Sequence, residues 1–149
     1  MSLGSKTTIR TSDVRHISEP AIAAYFLGAG SLDLEMDPHT FGLLFESLAV
    51  RDLRVYSQFL EGDVFHYRVD DGLEVDAIVH LRCGKWCAIE VKLGTHQFDA
   101  AAANLMKFAK KVDSESMNPP SFLAILTGTE YAYTREDGVH VIPLGCLRN

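Results

Sequence analysis

A chain of 149 residues that is 47% hydrophobic suffices for one ordinary domain with a sizeable core, and no apolar run approaches the roughly 18 residues of a bilayer-spanning helix. Its formal net charge of −6 argues against a generic nucleic-acid coat, which is basic, so nucleic acid would have to be met by a local patch or with a partner's help. Three cysteines are an odd number for a disulfide framework and Met1–Arg10 is too polar for a secretory signal, so a reduced, cytoplasmic setting is expected.

Met1–Ser5 reads like a vector-derived start. A short helix is expected from Glu19-Pro20 through Leu27, with Ile22, Tyr25 and Phe26 at helical spacing, proline in the first turn and Gly28 as the stop. Ser31–Met36 reads as a linker. Asp37-Pro38 then opens a long helix, a capping acid followed by proline at the first helical position, which should run to about Tyr56 or Phe59. Its polar stripe is narrow: Thr40, Ser47, Arg51, Arg54 and Gln58. Glu46 stands off that stripe, with Gly42, Leu43, Ala49, Val50 and Leu53 around it at about 100° per residue. A carboxylate on an apolar face is costly unless it is paired, hydrogen-bonded or metal-bound. Glu46 therefore either bridges an arginine, reaches the domain edge, or belongs to a site.

Glu61-Gly62-Asp63 breaks the chain, Val64–Val69 reads as a strand, and Asp70-Asp71-Gly72 as a hairpin turn. Leu73–Leu93 is two further strands around the turn Arg82–Lys85, completing an antiparallel meander. Alternation puts Leu73, Val75, Ala77, Val79 and Leu81 on one face of the first, leaving Glu74, Asp76, Ile78 and His80 on the other. In the second, Cys87, Ile89, Val91 and Leu93 oppose Trp86, Ala88, Glu90 and Lys92. Glu90 and Lys92 thus share one surface, and Asp76 on the neighbouring strand can face the same way. Two carboxylates to hold a divalent cation and an ammonium to steady a water or a phosphate charge are what phosphodiester hydrolysis by a metal site requires. Cys83 and Cys87 flank the turn, but a structural zinc needs four ligands and no second pair exists, so ordinary buried thiols are expected. His66 and His80 read as structural strand histidines, and Glu74 as an exposed strand-edge carboxylate.

Gly94-Thr95 ends the strand and starts a second helix, with Phe98, Ala101, Ala102, Leu105, Ala109 and Val112 on one stripe and Lys107, Lys110 and Lys111 towards its C-terminal end. Asp113–Pro120 is a polar loop, Phe122–Leu126 a strand buried on both faces, and Tyr131–Tyr133 with Val139–Ile142 a closing hairpin around Glu136-Asp137-Gly138. After the N-terminal segment the order is αβββαβ followed by a hairpin. That order predicts an α/β fold with a mixed central sheet flanked by helices.

The series Glu46, Asp76, Glu90-Val91-Lys92 resembles the PD-(D/E)XK nuclease-like superfamily. More narrowly, Gly42-Leu43-Leu44-Phe45-Glu46, Glu74-Val75-Asp76, Ala88-Ile89-Glu90-Val91-Lys92 and Gly138–Leu144 resemble the C-terminal domain of unknown function of many prokaryotic P-loop ATPases of the extended AAA class, over roughly residues 16–146. The resemblance implies a restriction-endonuclease-like core over 38–149, preceded by an extension and short helix over 1–37. It implies one or two Mg²⁺ or Mn²⁺ ions held by Asp76, Glu90 and the Val91 carbonyl, with Glu46 holding an outer-sphere water or a second ion and Lys92 orienting the attacking water or offsetting phosphorane charge. It thereby favours the site reading of Glu46. Many relatives carry Gln-x-x-x-Tyr at the second helix; here Gln97 is followed by Ala101, so the pattern is broken. The N-terminal P-loop ATPase region of a longer parent chain is the implied partner, with DNA as a candidate second one. No G-x-x-x-x-G-K-[ST] occurs here, so ATPase activity is not expected of this chain. Three functions stay open. An accessory module recognising nucleic acid or a partner stands first, a Mg/Mn-dependent DNA phosphodiester hydrolase second, and an idle ion pair on a sheet third.

Overall fold

The computed structural model describes residues 16–69, 72–112 and 117–147. Asp70 and Asp71 of the expected turn, residues 113–116 of the expected loop, and Met1–Ser5 lie outside the described residues.

The N-terminal helix α1 is Pro20–Phe26, its first turn capped by the Glu19 side chain. The segment expected to be a linker is a helix, α2, over Ser31–Met36. The Asp33 carboxylate accepts the Gly30 N–H at 2.8 Å, a local cap that composition alone does not announce. The long helix α3 spans Pro38–Phe59. Asp37 opens it by accepting the Thr40 N–H at 3.1 Å and its hydroxyl at 2.6 Å. Both short helices lie against α3, and Arg51 of α3 reaches Glu19 at 3.0 Å. Ser47, expected on the polar stripe, is buried.

The strands are β1 (Gly62–Arg68), β2 (Glu74–Leu81), β3 (Trp86–Lys92), β4 (Phe122–Thr127), β5 (Tyr133–Thr134) and β6 (His140–Pro143). They form one mixed sheet in the order β1-β2-β3-β4-β6-β5. The first three are antiparallel, β3, β4 and β6 run parallel, and β5 returns antiparallel on β6. A single 3₁₀ turn, Thr95–Gln97, leads from β3 into α4, Phe98–Lys111. The α/β architecture expected from the element order is present, with α3 over one face and α4 over the other.

Under α4, Phe98, Ala101, Ala102, Leu105 and Phe108 pack on Val75, Ile78, Trp86, Ala88 and Ile125. Phe108 supplies the contact there that Ala109 was expected to supply: its ring lies 4.7 Å from Tyr67 and 6.0 Å from Trp86 by centroid, the tilted and edge-on contacts that aromatic quadrupoles favour. Under α3, Phe45, Ala49 and Leu53 pack on Ala77, Ile89, Val91, Ala124 and Leu126. Each fully buried Leu, Ile or Phe contributes about 1.5–3 kcal/mol, so these two layers fix the sheet. Cys87 is buried beneath α3, but Cys83 is exposed in the β2–β3 turn, against the expectation of two buried thiols.

One irregularity shapes the site. β1 and β2 pair Phe65 with Ile78 but Tyr67 with Val75, so His66 alone opposes Asp76 and Ala77. An extra residue of this kind reverses the faces beyond it. Leu73 and Val75 therefore pack with Ile78 on the α4 side, while Ala77 and Val79 pack on the α3 side. The unbroken alternation read across Leu73–Leu81 is thus corrected: it switches at Asp76. Among the described residues no helix is long and apolar enough to cross a membrane.

Candidate functional site

Three facts bring the predicted acids together. Alternation along β3 holds, with Cys87, Ile89 and Val91 under α3 and Trp86 and Ala88 under α4, which leaves Glu90 and Lys92 on the α4 side. The ladder between β2 and β3 stops at the Ala77–Ile89 pair. Asp76, sitting in the bulge, then turns its carboxylate into the place of the next ladder bond: Oδ2 accepts the Val91 N–H at 2.7 Å.

Lys92 closes the group. Its Nζ lies 3.1 Å from Asp76 Oδ2 and 2.7 Å from Glu90 Oε2. Those two oxygens are therefore no farther apart than the two distances laid end to end, about 6 Å. Asp76 is 9% and Glu90 4% exposed, so neither is solvated as an ordinary surface acid. Burial and the Asp76 charge push the Glu90 carboxyl up, against the pull of Lys92 and of hydrogen bonds from Lys92 and Asn104. Burial alone would push the Lys92 ammonium down, but the two carboxylates beside it raise it.

Glu46 approaches from α3. It is half-buried, and among the described residues no arginine or hydrogen-bond donor holds it. Burial, reinforced by the Asp76 and Glu74 charges and only partly offset by Lys92, pushes its carboxyl up to about 7. Charges as far apart in sequence as Glu46, Glu74, Asp76 and Lys92 thus act on one another across the β2 bulge.

The flanking groups fall as follows. Glu74, taken as an edge carboxylate, places Oε1 3.2 Å from His66 Nε2 and Oε2 3.8 Å from Arg68 Nε. His66 Nε2 is close enough for an ion pair but outside hydrogen-bond geometry, and Nδ1 is 3.5 Å from the Asp76 carbonyl oxygen. His80 lies opposite Trp86, at the other end of β2. His16 is held low by burial and by the nearby Arg54 and His66 charges. Gln97 is exposed in the 3₁₀ turn and does not enter the cluster. The α4 residue that does is Asn104, which sequence reasoning passed over: Nδ2 donates to Glu90 Oε1 at 2.6 Å and to the Glu74 carbonyl oxygen. The signal was available, since position 104 falls between Ala101 and Phe108 on the buried stripe, where an amide is out of place.

As side chains stand, no three His, Cys, Asp or Glu groups among the described residues are arranged to hold a metal ion. The donor chemistry nevertheless fits a hard divalent cation. Mg²⁺ binds through one or two carboxylates and keeps several waters. Asp76 and Glu90 supply the carboxylates. Val91 turns its N–H towards Asp76, and in an extended strand its carbonyl leaves on the same side. Among the described residues, Glu46, Asp76 and Glu90 outnumber the one ammonium, Lys92, that acts on them. What stands between the carboxylates is Lys92, a cation already. No curated protein and no solved structure matches the chain. A family model described as "Domain of unknown function (DUF4143)" matches residues 41–147, a span that holds Glu46, Asp76, Glu90, Val91, Lys92 and Asn104, and the chain accordingly belongs to the DUF4143 family.

Proposed function

We propose that the cluster is a divalent-cation site serving phosphodiester chemistry, in a nuclease-like accessory domain of a P-loop ATPase. The observation that carries this reading is Lys92 held between Asp76 and Glu90 at 3.1 and 2.7 Å, two buried carboxylates already gathered around one cation. Asp76, Glu90 and the Val91 carbonyl would hold Mg²⁺ or Mn²⁺, with Glu46 reached through water. Bound there, such an ion supplies Lewis-acid polarisation of a phosphate and a more acidic water. The chain's own groups do the remaining work. Lys92, released from its carboxylates, is a mobile donor on a four-carbon stem that can follow a phosphate oxygen and offset its growing charge. Glu46, with a carboxyl near 7, is poised to take a proton from a water at neutral pH. Asp76 cannot swing freely, because the Val91 N–H pins it.

A second reading has its own support. A Lys92 locked in place would leave the site idle, so the domain would recognise nucleic acid or a protein partner without cutting, and the net charge of −6, which opposes tight binding to a polyanion, favours the protein partner. Thermal melts with Mn²⁺ separate the two. A cation that binds only the folded chain raises Tm by mass action, and Asp76→Asn, which keeps an oxygen for the Val91 N–H but loses the charge, should abolish the rise. Lys92→Ala should keep the rise and lose cleavage of a DNA duplex. A parent chain whose Tm ignores millimolar Mn²⁺ sinks the cation site and leaves the recognition reading.

A further inference from the structure

Asn104 interrupts the apolar face of α4. Its neighbours one turn away, Ala101 and Phe108, are in the core, and it is itself half-buried. A primary amide in that setting is costly unless its hydrogens are used. Both are: one goes to Glu90 Oε1 at 2.6 Å, the other to the Glu74 carbonyl oxygen. That carbonyl lies on the approach to the β2 bulge, beyond the point where the ladder to β3 stops. One NH₂ group therefore ties the acid on β3 to the backbone of β2.

We propose that Asn104 is the positioning residue of Glu90. It occupies Oε1 and so sets the carboxylate with Oε2 turned towards Asp76, where Lys92 Nζ now lies at 2.7 Å. With both hydrogens committed, the amide has no rotation that keeps either bond without losing the other. The residue type follows from charge. A lysine or arginine at 104 would also satisfy Oε1 but would cancel the negative charge that draws a cation. Asn donates without neutralising. Glutamine, one methylene longer, would have to move the helix or give up one bond. The consequence for metal rests on the divalent-cation reading above; the positioning of Glu90 does not.

The test takes the full 149-residue chain, with Asn104→Leu and Asn104→Asp made in the parent and in a Glu90→Gln background. Mn²⁺ affinity is read from calorimetric titration. Outer-shell partners of metal ligands typically control affinity by about 10–100-fold, so Asn104→Leu should weaken Mn²⁺ binding by about tenfold or more, and Asn104→Asp, which loses the donor but adds a charge that draws the cation, by less. In the Glu90→Gln background neither change should add to the loss. Unchanged affinity in Asn104→Leu, or equal losses in both backgrounds, would overturn the inference. A second arm needs no substitution at 104 and no metal. The Asn104 side-chain amide pair in a ¹H–¹⁵N spectrum should be slow to exchange in chelator, and should move on Glu90→Gln. If it does so while the parent ignores Mn²⁺, the cation reading has failed and the positioning of Glu90 stands; an amide pair indifferent to Glu90→Gln overturns the positioning itself.

Discussion

The two flanks of α3 offer opposite kinds of site. On one, Phe45, Leu48, Asp52 and Tyr56 of the helix face residues 127–130 and 143–147 across a cleft of about 710 Å³, at the C-terminal ends of the parallel strands β4 and β6. On the other, Glu46 feels the charges of Asp76 and Lys92, and Lys92 lies against both Asp76 and Glu90. Room is the usual guide to a ligand site. Here room and chemistry part company. The cleft's Asp52 is already held by its neighbour Arg51 at 2.9 and 3.0 Å, both partly exposed. The crowded flank has two carboxyls raised by burial, a bulge that exists to aim a third, and an amide out of place in a core stripe. Strain that a fold maintains in one place is better evidence of use than empty space.

If that contrast is right, the largest effects belong to the crowded flank. Asp76→Leu removes the acceptor of the Val91 N–H and one partner of Lys92, leaving a donor and a charge buried without relief. Breaking a buried pair in this way costs about 3–5 kcal/mol, which a urea midpoint should show. Asp76→Asn should cost far less, because it keeps an oxygen for Val91 and lowers the repulsion with Glu90. Equal losses in the two variants would mean that the carboxylate's charge, not its acceptor, holds the bulge together. Next comes Lys92→Met. In chelator it leaves Asp76 and Glu90 side by side with no cation, at a cost of about 3 kcal/mol at pH 8. Mn²⁺ should then recover most of the loss. A loss that Mn²⁺ cannot repair would mark an ion pair and nothing more.

How much of this the sequence carried differs along the chain. The cap at Asp37, the length of α3, the meander and the grouping of Glu90 with Lys92 follow from periods and turn residues that act locally, and each is found in place. Asp76 meets Glu90 and Lys92 on a strand whose alternation is broken. Simple alternation allows it to face the same way as Glu90, whereas it sits in a bulge, which depends on how β1 pairs with β2 and leaves no mark in either strand alone. Asn104 was missed because its partners are 14 and 30 residues away, and a helical wheel registers only that it is polar. The α2 cap was missed because Gly-Ser-Leu-Asp reads as a loop until the Asp33 side chain is seen turning back to Gly30.

A pH series should have a moderate effect and a definite sign. Glu46 rises from 4.5 to about 7 on folding, and Glu90 also rises. An acid whose folded value is raised holds its proton more tightly when folded. Below about pH 4.5 both states are protonated and nothing is lost; between 4.5 and about 7 the unfolded chain ionises first, so stability falls; above that the loss is complete. Asp37 and Asp137, lowered by their hydrogen bonds, act in the opposite sense but below 3.8, outside this window, and His16, held below 6.5 by burial, opposes the two raised carboxyls within it. Metal-free chain should therefore be easier to unfold in urea at pH 8 than at pH 5, and Glu46→Gln should flatten part of the slope. With Mn²⁺ present the slope should reverse, since the cation needs the carboxylates ionised. A metal-free midpoint that climbs from pH 5 to pH 8 would contradict the crowding inferred for Glu46 and Glu90.

The smallest expected effect is on the other flank, and it is the control on which the comparison rests. Asp52→Asn removes a carboxylate from the cleft and from Arg51, whose side chain and that of Asp52 are 34% and 24% exposed. Arg51 keeps Glu19 at 3.0 Å, so no charge is stranded. Exposed pairs of this kind contribute little, because water and salt replace them at nearly equal free energy. The melting midpoint should not move measurably, and the rise with Mn²⁺ should be the same as in the parent chain. Made alongside Asp76→Asn, the substitution asks which side of α3 feels a divalent cation, with one carboxyl deleted from each. A Mn²⁺ response weakened by Asp52→Asn and spared by Asp76→Asn would place the cation in the roomy cleft and reverse the assignment of the two flanks.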